Sequence, residues 1–395
     1  MNFNVLHLNS SSHEGGAARA AQRLHQALLA NGIDSSFISG DPKAKNLWRH
    51  LRARWRYKGF RAATPGLHTI AWPDTNLGKQ IYKGFTTSRI THLHWLGDDL
   101  LSIEQVGALK QPLCWTLHDM WPFSGAEHYT TDNRYLEGYF KSNRPIEERG
   151  KDLNQLTWRR KLRAWHKPTQ LIAPSNWLKN CAQQSALFRD WPIVHIPNAI
   201  DPLKWHPLDK KLAKQALCLP VDRPLVLFVA MGGLNDPRKG SDILQDAMLL
   251  LRNFLPAEMI LVGGKPSSNV EFPCHGLGAI EDDRLLKIVY AASDVIAIPS
   301  RLDNLPNTSL EAQMCGIPVV AFKGTGVAET IDIDITGAIA EEINAKSLAS
   351  ALFRVLKYIN PAQMSAACRE RAIRLWDPSV VANAHIELYQ DILAL

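Results

Sequence analysis

No two of the six cysteines form a C-x-x-C pair. Cys114, Cys181, Cys218, Cys274, Cys315 and Cys368 are scattered along 395 residues. That scatter excludes a dense disulfide framework and a clustered zinc site, and it fits a reducing compartment. Long hydrophobic runs are also missing. The opening MNFNVLHLNSSS has no basic n-region and too short an apolar run for a signal peptide, and no other stretch approaches a membrane span. A cytoplasmic chain, soluble or peripheral at a membrane, is expected. G-x-G-x-x-G and G-x-x-x-x-G-K-[ST] are absent, which disfavours a nicotinamide site and ATP hydrolysis of the P-loop type. There is no short-period repeat, no low-complexity tract and no recognised nucleic-acid motif, so no nucleic-acid partner is expected.

What remains is an ordinary globular composition, 46% hydrophobic, with a length that suggests two or three domains. The net charge of +7 is unevenly placed: residues 1–200 carry 26 Lys and Arg against 15 Asp and Glu, the remainder 19 against 23. The two halves therefore suit different partners. Much of the excess lies in KAKNLWRHLRARWRYKGFR (43–61). As a helix, this segment would align Trp48, Leu51 and Trp55 in one stripe flanked by bases. Two readings stand: a helix lying on an anionic membrane, or a solvated helix whose stripe packs on its own domain.

Strand-length apolar runs alternate with amphipathic helical segments. FNVLHLN, SSFIS, ITHLHWL, PLCWTLH, QLIAPS and PIVHIPN fall in the first half; PLVLFVA, AEMILVGG, DVIAIPS, IPVVAF and TGAIA in the second. This pattern predicts parallel strands covered on both faces, in two doubly wound α/β domains. The junction is expected in IPNAIDPLKWHPLDKK, giving domains at 1–198 and 199–378, with the helical segment 379–395 packing back on the first.

Ligands of open α/β sheets bind beyond the carboxyl ends of strands, so four strand-to-helix turns carry the candidate chemistry. In NSSSHEGGAARAAQ, Gly15 and Gly16 allow close approach of backbone N–H groups to an anion, or merely tight packing of helix on strand. In CWTLHDMWPF, His118 and Asp119 end a strand; His118 is read as a donor to a ligand hydroxyl or phosphate, against a core histidine bonded to backbone. His94 is a secondary candidate. In FVAMGGLNDPRKGSD, Gly232 and Gly233 precede Arg238 and Lys239, a pair suited to a diphosphate or simply solvated. In SRLDNLPNTSLEAQMCGIPVVAF, a helix start near Thr308 offers N–H groups to phosphate oxygens. Asp303 stands before it, able to accept from sugar hydroxyls. Glu311 could accept from a ribose, yet Thr308-Ser309-Leu310-Glu311 also matches a capping box.

Together these motifs resemble the retaining glycosyltransferases of family 4. The likeness runs from the Gly-Gly loop through APSNWL, IPNAID, the RKG turn and the SRLDNLPNTSLEAQMCGIPVVAF stretch. The subgroup most similar acts in bacterial exopolysaccharide and lipopolysaccharide assembly, of the colanic-acid type. The resemblance implies a GT-B fold of two facing Rossmann-like domains with a cleft between them. It implies a UDP- or GDP-sugar donor, a glycan or lipid-linked acceptor, and no cofactor or metal. Asp303 and Glu311 fall on the family's paired glutamates, the first against the donor sugar and the second on the ribose. Asn304, Leu305, Asn307 and Thr308 would face the donor phosphates, with Lys239 and Arg238 on the diphosphate, Gly15 and Gly16 as the phosphate-facing loop, and His118 as the catalytic-loop histidine. Two positions depart from the pattern: Asp303 is one methylene short of glutamate, and Gly233 stands where many members have arginine. They motivate an alternative reading as an inactive sugar-nucleotide-binding scaffold. A nucleotide-sugar epimerase of the same fold is a further alternative.

Overall fold

The computed structural model describes residues 3–40, 69, 71, 89–97, 100–110, 112–230, 236–264, 270–358 and 360–394. The basic segment 43–61 and the glycines Gly232 and Gly233 lie outside the described residues. The chain divides into two compact units: Met1–Pro197 with Val381–Leu395, and Asn198–Val380.

The first unit is built on strands β1 (Asn4–Asn9), β2 (Asp34–Ser39), β3 (Ile90–Leu93), β4 (Leu113–Thr116), β5 (Gln170–Ala173) and β6 (Ile193–His195), in the order β2-β1-β3-β4-β5-β6. Every pairing is parallel. The second unit contains β7 (Leu225–Val229), β8 (Glu258–Val262), β9 (Cys274–Gly276), β10 (Val295–Ile298), β11 (Val319–Phe322) and β12 (Gly337–Ala340), in the order β12-β11-β10-β7-β8-β9, again all parallel. Read from β9, this is the doubly wound 3-2-1-4-5-6 arrangement of dinucleotide-binding folds. Both sheets change winding direction once, between β1 and β3 and between β7 and β10.

The second sheet is apolar on both faces because its strands are. Along β7, Leu225 and Leu227 enter one core cluster and Val226 and Phe228 the other, the period-two alternation of a strand covered on both sides. Helix Ser241–Arg252 closes one face with Leu244, Ala247, Met248 and Leu251 at helical spacing, all buried; the two leucines and the methionine each contribute about 1.5–3 kcal/mol.

In the first sheet the two faces differ. Leu6, Leu8, Leu93, Trp115, Leu171 and Ala173 join an aromatic core with Trp121, Trp165 and Phe188. On the other side stand Val5, His7 and His92, and against them lies the last helix, Pro378–Ala394, which buries Val381, Ala382, His385, Ile386 and Tyr389. The Tyr389 hydroxyl meets His92 Nδ1 at 2.6 Å, and Phe3 packs edge-on to the Tyr389 ring. That face is closed by a polar contact between residues 297 apart in sequence.

Candidate functional site

In the second unit the loops at the winding change bring together the residues expected to meet a diphosphate. The loop after β7 ends in a single 3-10 turn, Pro237–Lys239, opened by the Asp236 carboxylate accepting from Arg238 N–H. Gly240 then takes φ of 68°, and a Cβ there would lie 2.0 Å from the carbonyl oxygen of Pro299. Only glycine fits, so the turn packs backbone to backbone against the end of β10. Arg301 N–H donates to the Arg238 carbonyl at 2.8 Å, and the Arg238 guanidinium to the Leu302 carbonyl at 3.1 Å.

Asp303 is the hub of this junction. Its Oδ2 accepts from Lys239 Nζ at 2.6 Å and Ser300 Oγ at 3.1 Å, with Arg238 Nη1 at 3.8 Å. Oδ1 accepts from the N–H of Asn304 at 3.1 Å. Burial pushes the carboxyl pKa up, but the cations of Lys239 and Arg238 and the hydrogen bonds of Lys239 and Ser300 outweigh it, leaving the pKa below the ordinary 3.8. Asp303 is thus an ionised, buried counter-charge for the two cations, a role that sequence reasoning did not give it. The Asn304 N–H likewise serves Asp303, because an aspartate readily accepts from the backbone that follows it.

The next helix runs Asn307–Met314. Its N-cap is Pro306, extended at φ −66° and ψ 129°, and no side chain caps it. Thr308 is therefore the second helical residue rather than the first, and the Thr308–Glu311 capping box does not form. Glu311, 2% exposed, accepts instead from the Tyr290 hydroxyl at 3.0 Å. Asn198 spans the loop from behind, its amide 3.5 Å from the Leu305 carbonyl and 3.4 Å from Asn307 Oδ1.

In the first unit Gly15 is the N-cap of helix Gly16–Ala30, with φ of 89° and open space where a Cβ would be. The conformation, not crowding, calls for glycine there. His118 follows β4, half-buried; burial lowers its pKa to about 4, against the opposing charge of Asp119. Asp119 is a buried acceptor that gathers three donors: His128 Nδ1 at 2.7 Å, Trp95 Nε1 at 3.1 Å and the N–H of Trp121 at 3.0 Å. The same loop is fixed from below by Lys161, which is fully buried. Its ammonium donates to the carbonyls of Trp121, Ser124 at 3.2 Å and Gly125 at 2.7 Å, and lies 4.1 Å from the Trp121 ring centre. Nothing in WRRKLRAW singles out Lys161, since its partners lie about 40 residues away.

Behind His118 the imidazoles of His7, His92 and His94 offer nitrogens within 4.8 Å of one another, the spacing of a metal-binding group. Each is already engaged: His7 Nδ1 with His94 Nε2, His92 with Tyr389 and Thr116, and His94 Nδ1 with His118. Burial first, and neighbouring histidines second, hold all three pKa values well below 6.5.

The comparisons with known proteins agree with this architecture. Residues 14–203 match the family described as Glycosyltransferase Family 4, and residues 223–358 the one described as Glycosyl transferases group 1. A D-inositol 3-phosphate glycosyltransferase of Saccharomonospora viridis is 30% identical over 216 residues, covering 49% of this chain and 49% of that protein. The chain spans about half the length of the curated relatives it matches. Among solved structures, Anabaena Alr3699/HepE in complex with UDP-glucose superposes with a TM-score of 0.67 at 16% identity, over 99% of this chain and 100% of that one. WaaG, a glycosyltransferase involved in lipopolysaccharide biosynthesis, gives a TM-score of 0.61 at 17% identity, over 96% and 98% of the two chains. At those identities the likeness is one of fold.

Proposed function

The chain belongs to the family 4 glycosyltransferases of GT-B fold, the two family matches falling one on each half, and from that premise we propose that it transfers a sugar from a UDP- or GDP-sugar to a glycan or lipid-linked acceptor in surface-polysaccharide assembly. The observation that carries this reading is the junction of Arg238, Lys239 and Asp303 at the winding change of the second sheet. Two cations held by a buried carboxylate beside a helix start suit a diphosphate, whose oxygens can take over the charge that Asp303 now neutralises. A UDP-glucose complex of a protein with the same fold supports a nucleotide-sugar donor. A relative in fold that works in lipopolysaccharide biosynthesis supports the acceptor class.

In the proposed reaction the bond between the anomeric carbon and the diphosphate oxygen breaks, and the acceptor oxygen bonds to that carbon from the same face, so configuration is retained. The acceptor proton passes to the departing diphosphate. Charge gathering on the diphosphate is met by Lys239, Arg238 and the start of helix Asn307–Met314, an electrostatic contribution already in place before reaction. Glu311, buried and oriented by Tyr290, is the ribose acceptor. His118 meets the sugar or the acceptor hydroxyl. No helix among the described residues is long and apolar enough to cross a membrane. Attachment to the cytoplasmic membrane face is assigned to the basic segment 43–61.

The test is calorimetric titration with UDP, GDP and their sugars, followed by product analysis with a lipid-linked oligosaccharide acceptor. Wild type should bind one nucleotide class and transfer its sugar, and Lys239→Ala should bind it about tenfold or more weakly. Equal nucleotide affinity in the two proteins would remove the diphosphate from this pocket. Binding with no transfer across acceptors would favour the scaffold reading, and a changed sugar without acceptor would favour the epimerase.

A further inference from the structure

Under the amino ends of β4, β5 and β6, at the opposite end of the first sheet from His118, lies a cavity of about 540 Å³. That volume is within the range of small-molecule sites. Helix Ile103–Gly107, the end of helix Leu153–Ala164 and Ile392 of the last helix enclose it, all within one compact unit. Leu93, Val106, Leu109 and Ile392 supply an aliphatic wall, and Trp115, Trp165 and Trp191 an aromatic one. The two enclosing helices meet backbone to backbone, since a Cβ on Gly107 would lie 2.2 Å from the Ala164 carbonyl oxygen.

Little hydrogen-bonding capacity is left in that wall. Trp115 Nε1 donates to the His94 carbonyl at 2.8 Å, and Trp165 Nε1 to the Ile103 carbonyl at 2.9 Å. The Gln170 amide nitrogen is shared between the carbonyls of Leu171 and Pro192 at 3.0 Å and 3.3 Å. Pro112, Pro168 and Pro192 line the cavity and have no N–H to offer. The Pro112 and Pro192 carbonyls already accept from the N–H groups of Thr91 and Leu171. What is left over is positive charge. Lys110 and Lys167 line the cavity with His166 and are exposed, and neither lysine forms an ion pair among the described residues. No Asp or Glu is among the described lining residues, and residues 153–189 contain none at all. Glu104, the one acid on helix Ile103–Gly107, is bound by Arg160 at 2.8 Å, and Asp190 and Asp391 stay out of the lining. A cavity of about 570 Å³ in the second unit is different, because its Lys210 and Lys214 are both spent on Asp294, at 2.7 Å and 3.0 Å.

We propose that the cavity of the first unit binds an anionic amphiphile, with a single aliphatic chain against the indoles and aliphatic side chains and a phosphate or carboxylate head at Lys110 and Lys167. Hydrocarbon suits a wall whose donors and acceptors are taken, whereas a sugar or a heterocycle would bury polar groups there without partners. The head belongs at the rim, where two unpaired cations meet water. This site is separate from the diphosphate junction and does not depend on the transfer proposed above.

The experiment is calorimetric titration of the full chain with octyl phosphate and decyl phosphate below their micelle concentrations, with no nucleotide sugar present. Wild type should bind one equivalent, and decyl phosphate should bind roughly tenfold more tightly than octyl phosphate because two more methylenes leave water. Leu109→Trp, which fills the cavity with an indole, should abolish binding. The double variant Lys110→Gln, Lys167→Gln should bind decyl phosphate about tenfold more weakly and decanol within about twofold of wild type. No saturable binding to wild type, equal affinity for the two chain lengths, or full affinity in Leu109→Trp would overturn the proposal, and an equal loss for decanol in the double variant would deny the anionic head. Circular dichroism checks the fold of each variant; where Leu109→Trp does not fold, the chain-length and charge arms decide. Phosphatidylglycerol vesicles separate two sources of the same chemistry: displacement of decyl phosphate by the vesicles marks a membrane lipid, its absence marks a free amphiphile, and the proposal stands with either. Because no arm needs turnover, a protein that binds alkyl phosphates and transfers no sugar would sink the enzymatic reading alone.

Discussion

Acidification should unfold the first unit at a pH most proteins tolerate, and the histidines set both the sign and the size of the effect. His7, His92, His94 and His385 are all 3% exposed or less. Burial lowers the pKa of His385 to about 4 and those of the other three well below 6.5. The unfolded chain binds their protons at about pH 6.5 and the folded one does not. Below that pH the unfolded state holds more protons, so the stability present above pH 6.5 is lost as pH falls. Each neutral histidine costs about 1.4 kcal/mol per pH unit, or about 2 kcal/mol between pH 7 and pH 5. Four acting together remove roughly 6–8 kcal/mol, comparable with the whole stability of a typical domain. Urea titrations at pH 7.5, 6.5 and 5.5 measure this through tryptophan fluorescence, because Trp115, Trp121 and Trp165 report on the core of this unit. The free energy should fall with a slope of about one proton between pH 7.5 and 6.5 and about three between pH 6.5 and 5.5. A slope of one proton or less between pH 6.5 and 5.5, or a folded first unit at pH 4.5, would show that the cluster is hydrated or charged in the native protein and would refute the reasoning.

The Lys239–Asp303 contact should couple measurably. Its gross attraction is about 4–6 kcal/mol at an effective dielectric of 20, and desolvation of the pair cuts the net to ~2 kcal/mol. With the Lys239 side chain 23% exposed, a cycle of Lys239→Met, Asp303→Asn and the double variant in urea should show a somewhat smaller coupling, and one below ~0.5 kcal/mol would deny the pairing. Lys161→Met should destabilise the first unit by ~3 kcal/mol, because three buried carbonyls lose their donor; a drop under ~1 kcal/mol in the same assay would mean that the His118 loop is held by other contacts. Replacing the bases of residues 49–61 with glutamine should abolish sedimentation with phosphatidylglycerol vesicles, and unaltered partitioning would return that segment to a solvated face.

Much of the fold was legible because parallel strands buried on both faces must be apolar throughout. All eleven apolar runs read from the sequence contain strands; ten are trimmed by one to three residues at an end, and SSFIS is instead extended by Asp34. The strand that escaped, β9, is Cys274-His275-Gly276, three residues without a β-branched side chain; it exists because Met259 and Leu261 of β8 offer it backbone partners. The helix at the donor loop was misplaced by a residue for a related reason. T-x-x-E marks a start only where the threonine is extended, and Pro306 already holds the extended geometry, so the helix begins on Asn307. Glu311 then finds its partner, Tyr290, 21 positions upstream. The site was legible as a set of strand-end residues but not as a set of contacts. Lys239 and Asp303 are 64 residues apart, His7 and His94 are 87, and no local pattern pairs them.

The two units, each taken by itself, illustrate how one architectural position can be given opposite electrostatics. In both sheets the polar residues gather where the winding direction changes, since that is where strand ends diverge and leave backbone and side chains uncovered. At the β7–β10 change the chain places full charges, two cations on one carboxylate, an arrangement whose energy a dianionic ligand can alter by several kcal/mol by replacing the carboxylate as partner. At the β1–β3 change it places imidazoles kept neutral by burial. Neutral donors discriminate between hydroxyl orientations through geometry and exert no long-range pull on a phosphate.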